Sequence, residues 1–291
     1  MSNTIITSEV VAGEALDILR NNAVLPNLVH RSFESEFVAG RGDTINARKP
    51  AVFVAKDFAG TTTTQDITET KVPVVMGGHK DVTIAVTSKE LTMSITDFSA
   101  EILTPAMQAF VDAMDAQLVK DMVAGAKKTV TVASKAVTQD DIVDARAAIT
   151  KAKAPLTDRS FVFGTDIEAD LLKTELFIHA DKVGDNGTAL REASLGRKFG
   201  LDCFCDQNCD VKAAECDGLV FHKNAAALVT APLALPNGAA KATVFSFEGF
   251  GIRVVYGYDM TTKTDTISLD MLFGTKVLDG NLIAAIKRTT A

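Results

Sequence analysis

Four cysteines with the potential for metal chemistry lie in one short segment: Cys203, Cys205, Cys209 and Cys216. Four thiolates are enough for a tetrahedral zinc site, so a metal-binding enzyme centred on them is one hypothesis. The spacing C-x-C-x3-C-x6-C, however, lacks the paired C-x2-C knuckles of structural zinc sites. The sequence therefore favours ordinary thiols and predicts no metal ligand, and metal analysis of the purified protein tests this.

The remaining reactive residue types are scattered along the chain. None of the four histidines has a companion at the spacing of a metal-binding motif such as H-E-x-x-H; they are His30, His79, His179 and His222. The dipeptide Gly77-Gly78 lacks the rest of a phosphate-binding P-loop and indicates a turn between strands. There is no nucleophile-elbow sequence. We predict no catalytic residue, no cofactor-binding residue and no cofactor, and therefore a protein that is not an enzyme.

Composition excludes several binding classes. The chain has 291 residues, of which 47% are hydrophobic, so it can bury a large core. Its net charge of -7 would repel a phosphate backbone, which argues against general nucleic-acid binding. Aromatic residues make up only 6%, too few for a base-stacking platform. Because no secretion signal or membrane-length apolar run is visible, we expect a soluble cytosolic product with no membrane partner.

A long amphipathic helix is predicted to begin near Pro105. Thr104 can cap it, and a proline at the first helical position loses no intrahelical hydrogen bond. Gly125 suits its C-terminus, which gives a rod of about 20 residues and ~30 Å. Its apolar stripe consists of Met107, Phe110, Val111, Met114, Leu118, Met122 and Val123. A helix of this length can organise an extended subunit.

Residues 44–92 have the pattern of strands that project from a body. Apolar and polar residues alternate around Ile45 and again around Ile84. Between them, residues 60–70 (GTTTTQDITET) offer few groups that a core could bury. The pattern predicts a long β-hairpin whose open strand edges need cover from a neighbouring chain. We therefore predict an obligate oligomer.

Residues 137–235 have the alternating helix and strand pattern of a compact α/β unit. Thr138 and Asp141 form a weak capping-box signal before one helix. Residues 160–164 (SFVFG) then indicate a buried strand.

A second capping box, Thr165 with Glu168, is predicted to open the helix that follows this buried strand. The last part of the chain, residues 242–286, returns to strands separated by Gly and Asp turns.

Several phrases, taken in order, resemble the major capsid (coat) proteins of tailed bacteriophages. They are GDTINARKP (42–50), TSKELTMSITDFSAEILTPAM (87–107), ALREASLGRKFGLD (189–202), and GIRVVYGYD with SLDMLFGTKVLD towards the end. The resemblance covers nearly the whole chain and is closest to the coat proteins of enterobacterial short-tailed phages. It implies the α+β fold class and the Hong Kong 97-type capsid fold, and none of the phrases is a catalytic fingerprint.

The resemblance also implies how the chain is divided. The expected regions are an N-terminal arm (1–43), an extended β-hairpin loop (44–92), the spine helix with part of the peripheral domain (93–136), an axial domain (137–235), and the C-terminal strands of the peripheral domain (236–291). The arm and the loop would cross neighbouring subunits, so that contacts missing in one copy are completed by repetition.

The implied function is structural. Copies of the chain would form pentamers and hexamers of an icosahedral shell around a phage genome, enclosing double-stranded DNA without sequence-specific binding. A separate scaffolding protein and a portal are the expected assembly partners, because the chain begins directly at the arm. The expected location is the virion capsid, with assembly in the host cytoplasm.

Two further hypotheses come from the same resemblance. An encapsulin-like compartment shell has a similar fold and would enclose a cargo enzyme instead of a genome. Some family members join subunits covalently through a Lys of the extended loop and an Asn of a neighbour, and Lys56 and Lys71 lie in that region. No local motif identifies the Asn or an acidic catalyst, so we predict that both lysines are solvated charges.

Overall fold

The computed structural model describes residues 15, 23–31, 44–49, 53, 55, 57, 60, 64, 70–87, 103–132, 136–174, 195–210, 217–236, 241–247 and 250–288. The predicted N-terminal arm and the Thr-rich tip of the hairpin lie largely outside these residues. Cys216, His179 and Lys56 lie outside them as well.

The described elements comprise four α-helices and thirteen strands. The helices are α1 (Leu25–Leu28), α2 (Thr104–Gly125), α3 (Gln139–Lys151) and α4 (Thr165–Leu172). The strands are β1 (Thr44–Lys49), β2 (Thr70–Val75), β3 (Gly78–Thr87), β4 (Lys128–Val132), β5 (Arg159–Phe163), β6 (Arg197–Lys198), β7 (Leu201–Cys205), β8 (Gly218–His222), β9 (Ala226–Ala231), β10 (Lys241–Phe247), β11 (Phe250–Asp259), β12 (Thr264–Val277) and β13 (Ile283–Arg288).

The predicted long helix is present as α2, and it ends at Gly125 as expected. The apolar stripe is confirmed, because its members from Met107 to Met122 are buried and Val123 packs against the same core. The predicted cap at Thr104 is wrong. A capping residue needs extended backbone angles, whereas Leu103 already has helical ones (φ -71°, ψ -44°) and Thr104 lies inside the helix. No helix among the described residues is both long and apolar enough to span a membrane.

A six-stranded mixed sheet has the order β4-β13-β8-β5-β7-β6. Alternate residues of its central strands enter two different cores, as a period of two requires. On β5, Phe161 and Phe163 pack with α3 and α4, while Val162 faces the core around α2. On β8, likewise, Leu219 faces the core around α2, and Val220 packs with α3 and α4. The sheet therefore lies between α2 on one face and α3 with α4 on the other.

A second sheet covers another side of α2. Its strands run in the order β10-β11-β12-β3, and the end of β12 also pairs with β9. The apolar residues of β11 and β12 share one core with the long helix; they include Ile252, Val254, Ile267, Leu269 and Met271. The long helix thus joins the two main sheets.

The capping box of Thr138 and Asp141 at the start of α3 is confirmed. The Thr138 amide and hydroxyl donate to Asp141 Oδ2, at 2.8 and 2.7 Å. The second predicted capping box is wrong, because Gly164 occupies the capping position and Thr165 is the first helical residue. The Glu168 side chain instead accepts a hydrogen bond from the Cys205 thiol at 3.4 Å.

Candidate assembly surface

Strands β1 and β2 form a separate two-stranded antiparallel ribbon, in which Thr44 lies opposite Val75 and Lys49 opposite Thr70. One face of the ribbon rests on β9 through a small core of its own, made of Ile45, Ala47, Val74, Met76, Val229 and Ala231. This alternation of buried and exposed residues is the predicted one. The turn predicted at Gly77 follows the ribbon and leads into β3, which pairs with β12 in the body.

The base of the ribbon approaches β12 so closely that only glycine fits at one position. A Cβ on Gly274 would lie 2.4 Å from the carbonyl oxygen of Val75, which is backbone and cannot rotate away. The absence of a side chain at Gly274 therefore determines where the ribbon attaches.

The other face of the ribbon is exposed. Its outward side chains are Thr44, Asn46, Lys71, Pro73 and Val75, and the Val75 side chain is 50% exposed. Within the described part of the chain, no third strand pairs with this ribbon. A two-stranded ribbon is marginally stable by itself and offers its edges to a further strand.

The turn between β11 and β12 forms a second exposed tip. Tyr258 and Met260 are 50% and 80% exposed there. The Asp259 carboxylate orders the turn by accepting hydrogen bonds from the Thr261 amide (2.8 Å) and the Thr262 hydroxyl (2.8 Å). The same bonds, led by that from the Thr261 amide, lower the pKa of Asp259. An ordered turn thus presents two large apolar side chains to solvent.

A fourth exposed apolar residue, Phe199, lies in a strained position. Phe199 and Gly200 form the two-residue turn between β6 and β7, and both have positive φ angles, 51° and 73°. Glycine adopts this conformation readily, whereas a bulky side chain such as phenylalanine does so rarely. The Phe199 side chain nevertheless remains 37% exposed.

A polar cavity of about 410 Å³ lies between the base of the ribbon and α2. Its walls include His79, Lys80, Gln117, Asp121 and Thr275. The Asp121 carboxylate already accepts hydrogen bonds from Gln117 (2.9 Å) and from the Thr275 hydroxyl. The cavity is therefore a gap where the ribbon attaches to the body, and the hydrogen bonds of the Asp121 carboxylate are made within the subunit.

The three described cysteines are divided between two cores. Cys203 and Cys205 lie on one face of β7, against the core of α3 and α4, whereas Cys209 is fully buried in the core of α2. Burial raises the pKa of the Cys203 thiol to about 11, which disfavours the thiolate needed for zinc. Within the described part of the chain, no three His, Cys, Asp or Glu side chains are grouped as metal ligands.

The described histidines have local structural contacts. His222 Nδ1 accepts a hydrogen bond from the Asn224 amide at 3.1 Å. The backbone of His30 bridges Ala226 and Leu228 of β9. Burial, chiefly, lowers the pKa of both His30 and His222, so each favours its neutral form. His79 lies 3.8 Å from Asp270 on the surface of the body.

Comparisons by sequence give no relatives: neither a protein-family model nor a curated protein matches the chain. Comparison with solved structures, in contrast, gives many similar chains. A chain from Mycobacterium phage Che8 superimposes with a TM-score of 0.67 at 21% identity, covering 91% of this chain and 90% of that one. The capsid structure of the cyanophage P-SCSP1u gives a TM-score of 0.62 at 13% identity, covering 86% and 84%. This chain has a phage capsid fold.

The capsid fold confirms the predicted α+β class and the Hong Kong 97-type architecture at the level of the whole chain. A virus-like particle from Pyrococcus furiosus also matches, with a TM-score of 0.56 at 14% identity, covering 97% of this chain and 100% of that one. The fold therefore occurs in more than one kind of particle.

The predicted strand around Ile45 is present as β1 of the ribbon, whereas the strand around Ile84, expected in the same hairpin, is β3 and pairs with β12 in the body. Sequence reasoning missed the exposed apolar tips. The sequence predicts a turn after GIRVVYGYD, but only the pairing of β11 with β12 shows that Tyr258 and Met260 are exposed at its tip. Phe199 could have been suspected from its neighbour, because Gly200 marks a tight turn in the phrase GRKFGLD.

Proposed function

We propose that this chain is a tailed-phage major capsid protein whose copies assemble into an icosahedral shell around the phage genome. The observation that carries the proposal is the capsid fold over nearly the full length of the chain and of its structural relatives. A shell subunit needs surfaces that other copies complete. The exposed ribbon and the two apolar tips are candidates for such surfaces. The proposed role is structural and involves no catalysis.

The finer assignments follow the sequence resemblance. Residues 1–43 act as an arm, 44–92 as an extended loop over a neighbour, 93–136 as spine helix and peripheral domain, 137–235 as axial domain, and 236–291 as the remaining peripheral strands. A separate scaffolding protein and a portal assist assembly into pentamers and hexamers, which takes place in the host cytoplasm. The relationship to enterobacterial short-tailed phages belongs to the same proposal.

The decisive experiment is particle formation by the full chain. We expect closed shells in negative-stain microscopy and a large particle in light scattering, when the chain is expressed with its scaffolding protein. A small oligomer at every protein concentration, with and without the scaffolding protein, would contradict the proposal.

A matched pair of variants tests the ribbon. Val75→Glu places a charge on the exposed face of the ribbon, whereas Val143→Glu places the same charge on the solvent face of α3, where Val143 is 41% exposed. We expect the first variant to stay folded but lose most of its shells, because a buried unpaired charge at a subunit contact is costly. If both variants assemble equally well, the exposed face of the ribbon does not lie at a contact between subunits.

A compartment shell is the second candidate, favoured by the full-length match to the Pyrococcus furiosus particle. The contents of particles purified from the native source distinguish the two. Phage DNA inside supports the capsid function, whereas a single enclosed cargo enzyme without a genome supports the compartment.

A further inference from the structure

Among the described residues, the chain crosses three times between the six-stranded sheet and the rest of the body. It passes from α2 to β4 at residues 125–128, from β8 to β9 at residues 222–226, and from β12 to β13 at residues 277–283. Crossings at separate places would form three independent connections, each able to bend. Here the three crossings contact one another, and we call these three segments together the junction.

Backbone hydrogen bonds connect the crossings of the junction. The amides of Leu278 and Asp279 both donate to the Ala225 carbonyl oxygen, at 2.8 and 3.1 Å, which joins the second crossing to the third. The Lys127 amide donates to the Gly280 carbonyl oxygen at 3.0 Å, which joins the first crossing to the third. Because backbone groups cannot rotate away as side chains can, the third crossing holds the other two in place.

Two glycines allow the crossings to approach each other closely. A Cβ on Gly280 would lie 2.1 Å from the Gly125 carbonyl oxygen, and a Cβ on Gly125 would lie 2.7 Å from the Val277 side chain. A larger residue at either position would therefore push the end of α2 away from the turn between β12 and β13. The Asp279 carboxylate orders this turn by accepting hydrogen bonds from the amide (3.1 Å) and the side chain (2.9 Å) of Asn281.

The junction also lies where the two large cores meet. The Leu282 side chain packs against both the core around α2 and the core of α3 and α4. Ala225 and Ile283, in the second and third crossings, are fully buried. A movement of one sheet relative to the other would have to break the backbone hydrogen bonds and expose these side chains at the same time.

We propose that the junction is a rigid lock, which makes α2 and the two main sheets move as one body and leaves the ribbon as the part that moves separately. The three crossings of the lock open only together. The ribbon is attached differently, through its own small core and the close approach at Gly274. The lock is a property of the single subunit and goes beyond the shell function proposed above, so it is tested on the unassembled full chain.

Amide hydrogen exchange measures the opening of the lock, because a protected amide exchanges only when its hydrogen bond opens. The amides of Lys127, Leu278 and Asp279 are resolved by fragment-ion mass spectrometry at urea concentrations below the unfolding transition. We expect one opening free energy and one urea dependence for all three amides, and a smaller opening free energy for the ribbon strands β1 and β2. The proposal is wrong if one of the three amides opens before the others, or if the ribbon opens only with them.

Gly280→Ala tests whether the crossings are coupled. Its added Cβ contacts the Gly125 carbonyl oxygen, so the direct effect falls on the first crossing. In a lock, exchange at Leu278 and Asp279 accelerates by the same factor as exchange at Lys127, roughly 5- to 150-fold for a methyl group forced into a packed site. Acceleration confined to Lys127 would show that the crossings open independently and would overturn the lock.

Asp279→Ala acts from the other side of the junction and remains informative if Gly280→Ala does not fold. It removes the carboxylate that orders the turn and should accelerate exchange at Lys127, in the first crossing, roughly two- to thirtyfold. Gly77→Ala is the control, because no atom lies within 4 Å of its added Cβ, and it should change exchange at Lys127 by no more than about twofold. An exchange rate at Lys127 that is the same in Asp279→Ala as in Gly77→Ala would rule out the coupling.

Discussion

Arg253 and Asp270 lie opposite each other on β11 and β12, and the guanidinium makes two hydrogen bonds to the carboxylate. The Asp270 side chain is only 5% exposed and that of Arg253 only 18%. Arg253 also donates to the Ala234 carbonyl oxygen, which ties the segment after β9 to the sheet. The pair therefore connects three segments of the body.

Arg253→Met should be strongly destabilising, because it keeps most of the side-chain volume but leaves a buried carboxylate without its cation. We expect a loss of about 3–5 kcal/mol in the free energy of unfolding, measured by urea denaturation. The exposed pair Arg197–Asp202 provides the control: Arg197→Met should cost less than ~1 kcal/mol. Similar losses in both variants would contradict this account.

Gly274→Ala should loosen the ribbon, since the added methyl group would overlap the Val75 carbonyl oxygen. Forcing a methyl group into a packed site costs about 1–3 kcal/mol, so urea should unfold the variant earlier. Gly77→Ala is the matched control, because no atom lies within 4 Å of its added Cβ. If a protease cleaves the ribbon no faster in Gly274→Ala than in Gly77→Ala, then the close contact between Gly274 and the Val75 carbonyl oxygen does not position the ribbon.

The free energy of unfolding should fall as the pH rises, because the buried Asp115 is more stable in its protonated form. Burial, with the charges of Asp206 and Asp112, raises the pKa of Asp115 to about 8. The stabilisation that comes from this raised pKa is fully present below the pKa of Asp115 in the unfolded chain, near 4. It is lost as the pH rises through the pKa in the folded protein, about 8. The slope is at most ~1.4 kcal/mol per pH unit between these values.

The corresponding measurement compares the wild type with Asp115→Asn by urea denaturation from pH 4 to pH 9. The variant should gain stability relative to the wild type as the pH increases, because it has no proton to lose. A difference in unfolding free energy that is constant over this range would show that Asp115 ionises normally in the folded protein.

The two capping positions should respond differently to truncation. Thr138→Ala removes the hydroxyl that bonds to Asp141 and should cost about 1 kcal/mol. Thr165→Ala should have an effect within ~0.5 kcal/mol, because Thr165 is the first residue of α4 and Gly164 occupies the cap. Thermal unfolding of both variants measures the two losses of stability. A larger loss in Thr165→Ala than in Thr138→Ala would show that Thr165, and not Gly164, caps α4.

Local patterns in the sequence predicted the elements better than their ends. The α2 stripe and the strands around Ile45 and Ile84 were found because side-chain burial follows a period that the residues display. The caps at Thr104 and Thr165 were misplaced because both residues already lie inside their helices: Leu103 before Thr104 has helical backbone angles, and Gly164 has the extended angles of a cap. The four cysteines form one cluster along the chain, yet β7 and the 3-10 turn Gln207–Asp210 place the three described ones in two different cores.

The sequence by itself determined the long helix and the strand around Ile45, because both depend on short-range periodicity, and its resemblance to phage coat proteins implied the α+β class. Only the tertiary structure decided which distant groups meet: Arg253 with Asp270, and Gly274 with the Val75 backbone. These contacts arise when sheets and helix pack together, and residues separated by many positions carry no local pattern that records their final distance.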